Sequence, residues 1–571
     1  MPQRLAIEAI QRQNWAGAVA HAREALKTSP RSAEVHYLLG FALLGLQQPA
    51  EAVSELDRAV QLDPRRAEYW LLLASVLLQL AAYANAGLIL QNAVRIHPGN
   101  ADAWTLLAEA RLNEKNITGA EEAVQRAFAL KPDHARALLL MGHLRKRHGD
   151  LAEGLWLHRR AVGAVEVPRG SPRAKPRIVF VVQHGPMWTS LKSVYEAFAA
   201  DPSWKTIIVG VPYLGTWGPG EEDKTMAVFD FLKKEGLPFV RWDEFVLEPG
   251  CADVLFLPKP HDHTRPPAWQ ALNLLKYVPR LAYVPYALEL GAEELDGQMQ
   301  WNQPLQQVAW MLFARSARQK GYFAQHCISG DAHVVVTGHP KMDAMRQLDA
   351  VRDPELDRFI AGRKMVLWNA HYDVIPDGTA WGKGYSTFMR WWKFLPEEFA
   401  RRPGLALVIR PHPIFLSIFR LRKIVPEGEL EAFFARCEAQ GNIHIDRRTS
   451  YLPVFAASRA IMSDTSSFVL EYAATGKPLL YLHNPNGPKL TSDGEFVFND
   501  CYPAHSEADI VRFLDQVEAG EDPRAAQRMA HYPEFMTLPP DGVGATIKRL
   551  IVERFDAEAA GTPLATGAAS R

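Results

Sequence analysis

The sequence predicts a helical-repeat solenoid over residues 1–165, a linker at 166–176, and two Rossmann-like α/β halves at 177–350 and 351–555. Three observations carry this. Pro30, Pro64, Pro98 and Pro132 recur every 34 residues, a period characteristic of stacked helical units. The stretch "VEVPRGSPRAKP", with Pro168, Gly170, Pro172 and Pro176, opposes both helix and strand and marks a boundary. Beyond it, short β-rich apolar runs alternate with helical stretches, the pattern of a doubly wound sheet.

Within the repeats, small and apolar residues return at fixed places. One unit carries Leu39, Gly40, Leu43, Ala52, Leu56 and Ala59; the next carries Trp70, Leu73, Ala74, Leu77, Ala86, Leu90 and Ala93. A third has Trp104, Leu107, Ala108, Ala120, Val124 and Ala127. A weaker unit follows with Met141, Gly142 and Ala161, and a partial one precedes with Leu5, Ala18 and Ala25. The pattern resembles the tetratricopeptide repeat, whose small residues let two helices approach closely and whose proline ends the second helix. The resemblance implies a groove for a protein partner or acceptor; an oligomerisation or scaffold role is the other reading.

With 571 residues the chain exceeds one ordinary domain, and its 64 Lys plus Arg balance 64 Asp plus Glu. That balance argues against a nucleic-acid partner or a strongly basic membrane face, so a charged ligand has to be held locally. Cys251, Cys327, Cys437 and Cys501 form no C-x-x-C pair, which disfavours a zinc knuckle or disulfide framework. The amino terminus has no signal-peptide core and no long apolar run occurs. The expected setting is the cytoplasm, compatible with peripheral association at the inner face of the cell membrane.

The first α/β half is expected to place strands at 177–183, 206–213, 253–258, 281–286 and 333–338, and the second at 364–370, 405–411, 442–446, 459–464 and 478–482. "GTWGPG" (215–220) reads as a loop. Residues 556–571 lack a core-forming pattern and are expected to be a mobile tail. In open α/β sheets ligands lie beyond the carboxyl ends of the strands, so motifs directly after these runs are the candidates for function. Three stand out: "TGHPKMD" (337–343), "RPHP" (410–413) and "SDTSSFVLEYA" (463–473).

The side chains of Asp464, Thr465, Ser466 and Ser467 suit a helix cap, while the first-turn amides equally suit a phosphate. Arg410 is a fixed cation and His412 a ring donor or acceptor. In order and spacing these motifs resemble the CDP-glycerol glycerophosphotransferase family, enzymes of teichoic-acid-like and capsule polymers on a two-Rossmann GT-B fold. The resemblance spans about residues 177–550. It implies that Arg410, His412, Thr465, Ser466 and Ser467 hold donor phosphate, that Glu471 reaches the ribose, and that Thr337, Gly338 and Pro340 shape the hinge-side wall near the nucleotide. The donor would be nucleotide-activated, CDP-linked or UDP/CMP-linked, with no separate cofactor and no metal.

The chain departs from the family at one place. Where members carry Trp-His-Gly-Thr-Pro, with a proposed base, this chain has "YVPYALELG" (283–291). Tyr286 there is an acceptor-side residue or a strand-end aromatic; an ordinary phenol is a poor base near neutrality. His184 in "VVQHGPMW" is a candidate replacement base or a structural residue of a Gly-Pro turn, with His412 as the second catalytic candidate and His261 and His263 of "HDHT" as acceptor-side candidates. Trp381, Trp391 and Trp392 line an acceptor entrance or pack in the core. The expected function is a metal-independent transferase that moves glycerol phosphate or a related group from a CDP-glycerol-type nucleotide-diphosphate donor to a hydroxyl of a surface-glycan or other acceptor. Alternatives are a nucleotide-sugar glycosyltransferase of the same fold and a non-catalytic repeat scaffold with a degenerate transferase domain.

Overall fold

The repeats close as their small residues require. In a computed structural model, residues 1–165, all described, form five helical hairpins: Pro2–Gln11 with Trp15–Thr28, Ala33–Gly45 with Pro49–Leu62, Ala67–Gln79 with Tyr83–Ile96, Ala101–Asn113 with Ile117–Leu130, and Ala135–Arg147 with Leu151–Ala161. Each hairpin turns through one left-handed residue, Gln13, Gln47, Ala81, Lys115 or Gly149. The next amide in each case reaches back five residues, as Asn14 N–H does to the Ala9 carbonyl, which satisfies a carbonyl the helix end would leave bare. A Cβ on Gly40 would lie 2.7 Å from Leu56 Cγ, so the helices meet at a distance only glycine allows. Trp70 and Trp104 donate their indole N–H to the carbonyls of Pro64 and Pro98, tying each proline to the following helix.

The remaining described residues are 175–215, 225–286, 288, 300–374, 384–412, 414–487 and 489–560. Most of the linker, residues 216–220 of the "GTWGPG" loop, Trp381, Pro413 and the chain beyond 560 lie outside them. The chain separates into two units, Met1–Ala164 and Val165–Arg571. The second unit holds two parallel sheets. The first runs in the order β3-β2-β1-β4-β5-β6-β7, with β1 (Arg177–Val182), β2 (Lys205–Gly210), β3 (Val240–Arg241), β4 (Val254–Leu257), β5 (Leu281–Tyr283), β6 (Met311–Ala314) and β7 (Val334–Val336). The second runs β10-β9-β8-β11-β12-β13, with β8 (Lys364–Ala370), β9 (Leu405–Pro411), β10 (Ile443–Ile445), β11 (Ala460–Ser463), β12 (Leu479–Leu482) and β13 (Tyr502–Ala504). Helices cover both faces of such sheets, so the central strands are apolar throughout. β3, β6 and β13 escaped the sequence reading: β3 has two residues, β6 is separated from a helix by only two residues, and β13 contains Pro503, tolerated because the strand is at an edge.

"TGHPKMD" is the crossing between the halves. Gly338 has φ +85°, and a Cβ there would lie 2.2 Å from the Thr537 carbonyl oxygen. Asp343 then accepts from the amides of Val543 (2.7 Å) and Gly544 (2.8 Å), capping the last helix, Val543–Ala559. That helix returns to the first half, where Gly544 passes so close to the Ser193 carbonyl that a Cβ would come within 2.3 Å. Glu558 accepts from Trp310 (2.6 Å) and Arg280 (2.9 Å). The expected tail beginning at residue 556 is therefore corrected. Residues 556–559 are helical, and the polar pattern that suggested disorder includes Glu558, which is anchored by these two bonds. The second half likewise does not end on itself, since its last helix packs on Lys192–Ala199 of the first.

Two further contacts close the crossing. Arg315 and Asp493, both buried, pair across the halves, and Arg318 Nε joins Asp493 at 2.9 Å. His339, buried, meets the Pro285 carbonyl through Nε2 at 2.7 Å. Its Nδ1 accepts from the Lys341 amide at 3.3 Å. Burial, with the Lys341 charge nearby, pulls this imidazole down to about 3, so it is neutral and Nε2 is the donor.

Two outcomes are expected. Gly338→Ala lowers unfolding free energy by about 2–4 kcal/mol, because strain and overlap combine. Gly236→Ala, also at positive φ but facing open space, costs only about 1–2 kcal/mol; equal losses in urea unfolding contradict the close approach. A histidine held neutral stabilises the fold fully above its unfolded pKa and loses that contribution as pH falls toward the folded value. His339→Gln should therefore flatten the stability slope near pH 5 by about 1.4 kcal/mol per pH unit; an unchanged slope contradicts the neutral, buried assignment.

Candidate functional site

The carboxyl ends of the central strands from both halves supply the candidate residues. On the first half, Gln183 follows β1 and donates to the carbonyls of Thr264 (2.8 Å) and Pro212 (3.3 Å), stitching together the segments after β1, β2 and β4. His184 comes next in extended backbone and heads the turn Gly185–Trp188; Gly185 lies against Phe231, where a Cβ would be 2.6 Å away. The His184 and Tyr213 rings are 6.2 Å apart.

Tyr213 accepts from Lys259 Nζ at 3.0 Å. Lys259, after β4, is only 6% exposed. Its ammonium lies 5.2 Å from the Tyr213 ring centre and 5.6 Å from that of Tyr286. Burial, with the Arg265 charge, lowers this amine to about 8. The backbone carbonyl of Tyr286 accepts from Ser190 Oγ at 3.2 Å. His261 is buried and drawn down to about 4 by burial and then by Lys259, and the exposed His263 is lowered by the same causes. Their rings are 5.8 Å apart. Asp262 between them is committed to Arg265 and to the Ala271 amide. Among the described residues no group of three His, Cys, Asp or Glu side chains could hold a metal ion.

On the second half, β8 is the axis. Asn369 at its end donates to Ser463 Oγ (3.1 Å) and Ser466 Oγ (3.0 Å). His371 follows, stacked on Tyr372 with ring centres 4.4 Å apart and 5.9 Å from His412. His412 donates its amide to the Ala370 carbonyl at 3.1 Å, which fixes the end of β9 beside the end of β8. Burial draws the His412 ring down to about 4, with the charge of Arg410 and then the field of His184 adding to it. His371 is also held neutral, lowered to about 3 by burial and then His412.

The "SDTSS" residues divide their work. Asp464, fully buried, accepts from the His371 amide (3.0 Å), Ser386 Oγ (3.1 Å), the Thr387 amide (3.0 Å) and Thr387 Oγ1, so it binds two loops to β11. Burial raises its carboxyl to about 6 against those bonds. Ser466 Oγ also accepts from the Phe468 amide at 3.0 Å. The main-chain N–H groups of Thr465, Ser466 and Ser467 donate to no acceptor among the described residues.

Several expected ligands are turned elsewhere. The Thr465 hydroxyl bonds Tyr481 at 2.8 Å inside the core, so its side chain does not reach a phosphate. Arg410 pairs with the buried Asp446 and donates to the Thr449 carbonyl at 3.2 Å; an unpaired buried carboxylate beside it would be costly, and the guanidinium answers that need first. Glu471, fully buried, pairs with Lys341 Nζ at 2.7 Å rather than facing a ribose. Thr337 and Gly338 belong to the crossing, where the Thr337 hydroxyl donates to the Gly338 carbonyl (3.1 Å). Trp391 and Trp392 pack in the core of the second half. The structure places His184 beside Tyr213 at strand ends of the first half, with Tyr286 after β5 and His261 and His263 after β4, and it places His412 beside His371, and Ser466 beside Asn369, at strand ends of the second half. Lys259 and His371 were missed, although both directly follow apolar runs in "LPKP" and "NAHYD" and the strand-end rule applied to them equally.

The tetratricopeptide repeat family model matches residues 9–76 and 77–144. No curated protein matches the chain. Among solved structures, MamA from Desulfovibrio magneticus RS-1 is 22% identical, covers 28% of this chain and 92% of its own, and has a TM-score of 0.27. S. aureus MnaA with UDP is 14% identical, covering 67% of this chain and 96% of its own at a TM-score of 0.44. A Listeria monocytogenes protein assigned as a UDP-N-acetylglucosamine 2-epimerase is 12% identical, covering 67% and 97% at 0.47. The chain carries tetratricopeptide repeats over residues 9–144, followed among the described residues by a seven-stranded and a six-stranded parallel sheet.

Proposed function

We propose that the second unit is a transferase that moves glycerol phosphate or a related group from a nucleotide-diphosphate donor of the CDP-glycerol type to an acceptor hydroxyl. The observation that supports this most is that each parallel sheet gathers polar side chains at its strand ends, His184 beside Tyr213 in the first half and His412 beside His371 in the second. That is where such folds bind nucleotides. Open amides at Thr465, Ser466 and Ser467 offer donors to an anion.

In the proposed reaction the acceptor oxygen forms a bond to the donor's transferred phosphorus while the bond from that phosphorus to the bridging oxygen breaks. The nucleoside monophosphate leaves with that electron pair. The hydroxyl proton passes to His184 as general base. His412, neutral and beside Arg410, orients a phosphate oxygen by hydrogen bonding. The amides offset charge on the leaving nucleotide. A nucleotide-sugar transfer would use the same phosphate grip, and Tyr286 in place of the family's histidine favours that second reading. The repeat groove would dock the acceptor or a protein that carries it.

CDP, CDP-glycerol, UDP-sugars and CMP-sugars, each added to the full chain, form the test. The donor should raise unfolding free energy by about 2.7 kcal/mol at a hundredfold excess over its Kd. His184→Gln should cut kcat by about 10²–10⁴ while retaining that stabilisation. Absence of a shift with every nucleotide contradicts the proposal.

A further inference from the structure

β9, β8 and β11 are neighbours in the second sheet, and the residue directly after each is His412, His371 and Asp464. Resting on the function proposed above, we propose that His371 is a second imidazole contact to the donor's diphosphate, paired with His412 as a ring N–H donor. His371 belongs to none of the three strand-end motifs read from the sequence. Backbone bonds bring it to two of them. It donates its amide to Asp464 Oδ2 at 3.0 Å, while His412 donates its own to the Ala370 carbonyl at 3.1 Å. Asn369, two residues earlier, donates to Ser466 Oγ at 3.0 Å.

Each ring is oriented by its own loop. The Asp373 amide donates to His371 Nδ1 at 3.1 Å, and the Ile414 amide donates to His412 Nδ1 at 3.4 Å. An Nδ1 that accepts carries no hydrogen, so in a neutral ring the hydrogen is on Nε2. Both rings are held neutral by burial. Among the described residues no acceptor meets either Nε2. The Tyr372 ring lies 4.4 Å from His371 and 4.8 Å from His412, which fixes the two imidazoles relative to each other at 5.9 Å.

Two half-buried N–H donors side by side suit an acceptor with several oxygens, and charge on that acceptor strengthens both bonds. The carboxylates nearby are already engaged. Asp464 accepts from Ser386 and Thr387 as well as from His371, and Asp373 accepts from the Gly384 amide at 2.8 Å. The Arg410 charge acts on the His412 ring and adds positive potential at the donors.

Calorimetry on the full chain, with CDP and UDP as probes, tests the assignment. His371→Phe keeps a ring against Tyr372 and removes the donor; it should weaken both nucleotides by the same factor, about tenfold or more. His371→Ala should lose as much. His371→Gln restores an N–H close to the place of Nε2 and should bind both nucleotides within about threefold of the parent. A purely packing role predicts the reverse order, with Phe tolerated better than Gln. That reversed order, a loss confined to one base, or His371→Phe binding as tightly as the parent overturns the role of His371 and leaves the transferase reading intact. Failure of the parent to bind either nucleotide overturns both.

Discussion

The crossing at residues 338–343 is the constraint on which the cleft depends. Two parallel sheets present a binding surface only if their carboxyl ends face one another. Here the facing is enforced by backbone running against backbone: Gly338 against the Thr537 carbonyl, and Gly544 against Ser193. Neither approach leaves room for a side chain. Asp343 fastens the arrangement by capping the returning helix, satisfying two amides that would otherwise be bare and placing a negative charge at the positive helix end.

Around this crossing the protein spends much of its buried charge on architecture. Arg315 with Asp493, Lys341 with Glu471 and Arg410 with Asp446 each pair a cation with a carboxylate withdrawn from water. Such pairs fix geometry more than they add stability, and breaking one strands a charge. The cleft itself is dominated by neutral imidazoles. Burial lowers His371 and His412 well below neutrality, so they enter the cleft as hydrogen-bonding groups. An arriving diphosphate would favour their protonated forms and draw both upward.

Much of the fold was legible in the sequence, because its signals are local. A 34-residue recurrence of proline with small residues leaves little choice but helical hairpins, and buried parallel strands must be apolar on both faces. The site was legible only to the level of strand ends. Position along the chain identified His184, His412 and Ser466, each of which follows a strand of its own half. It could not reveal that Arg410 has a carboxylate partner 36 residues on, that Glu471 answers Lys341, or that the Thr465 hydroxyl turns to Tyr481. Each of those pairings is set by tertiary packing. Lys259 was passed over although the strand-end rule applied to it; the two phenols its ammonium lies near come from the ends of other strands.

The central claim is that the two halves close on a single anion, with His184 and His412 on either side of it. A crystal structure of the full chain with a non-hydrolysable analogue of a CDP-linked donor tests this most directly. The account predicts phosphate oxygens within hydrogen-bonding distance of the His412 ring and the Ser466 and Ser467 amides, with His184 on the opposite wall beside the transferred group. A nucleotide seated away from the ends of β8 and β9, or a cleft in which the two imidazoles face different solvent spaces, would contradict it.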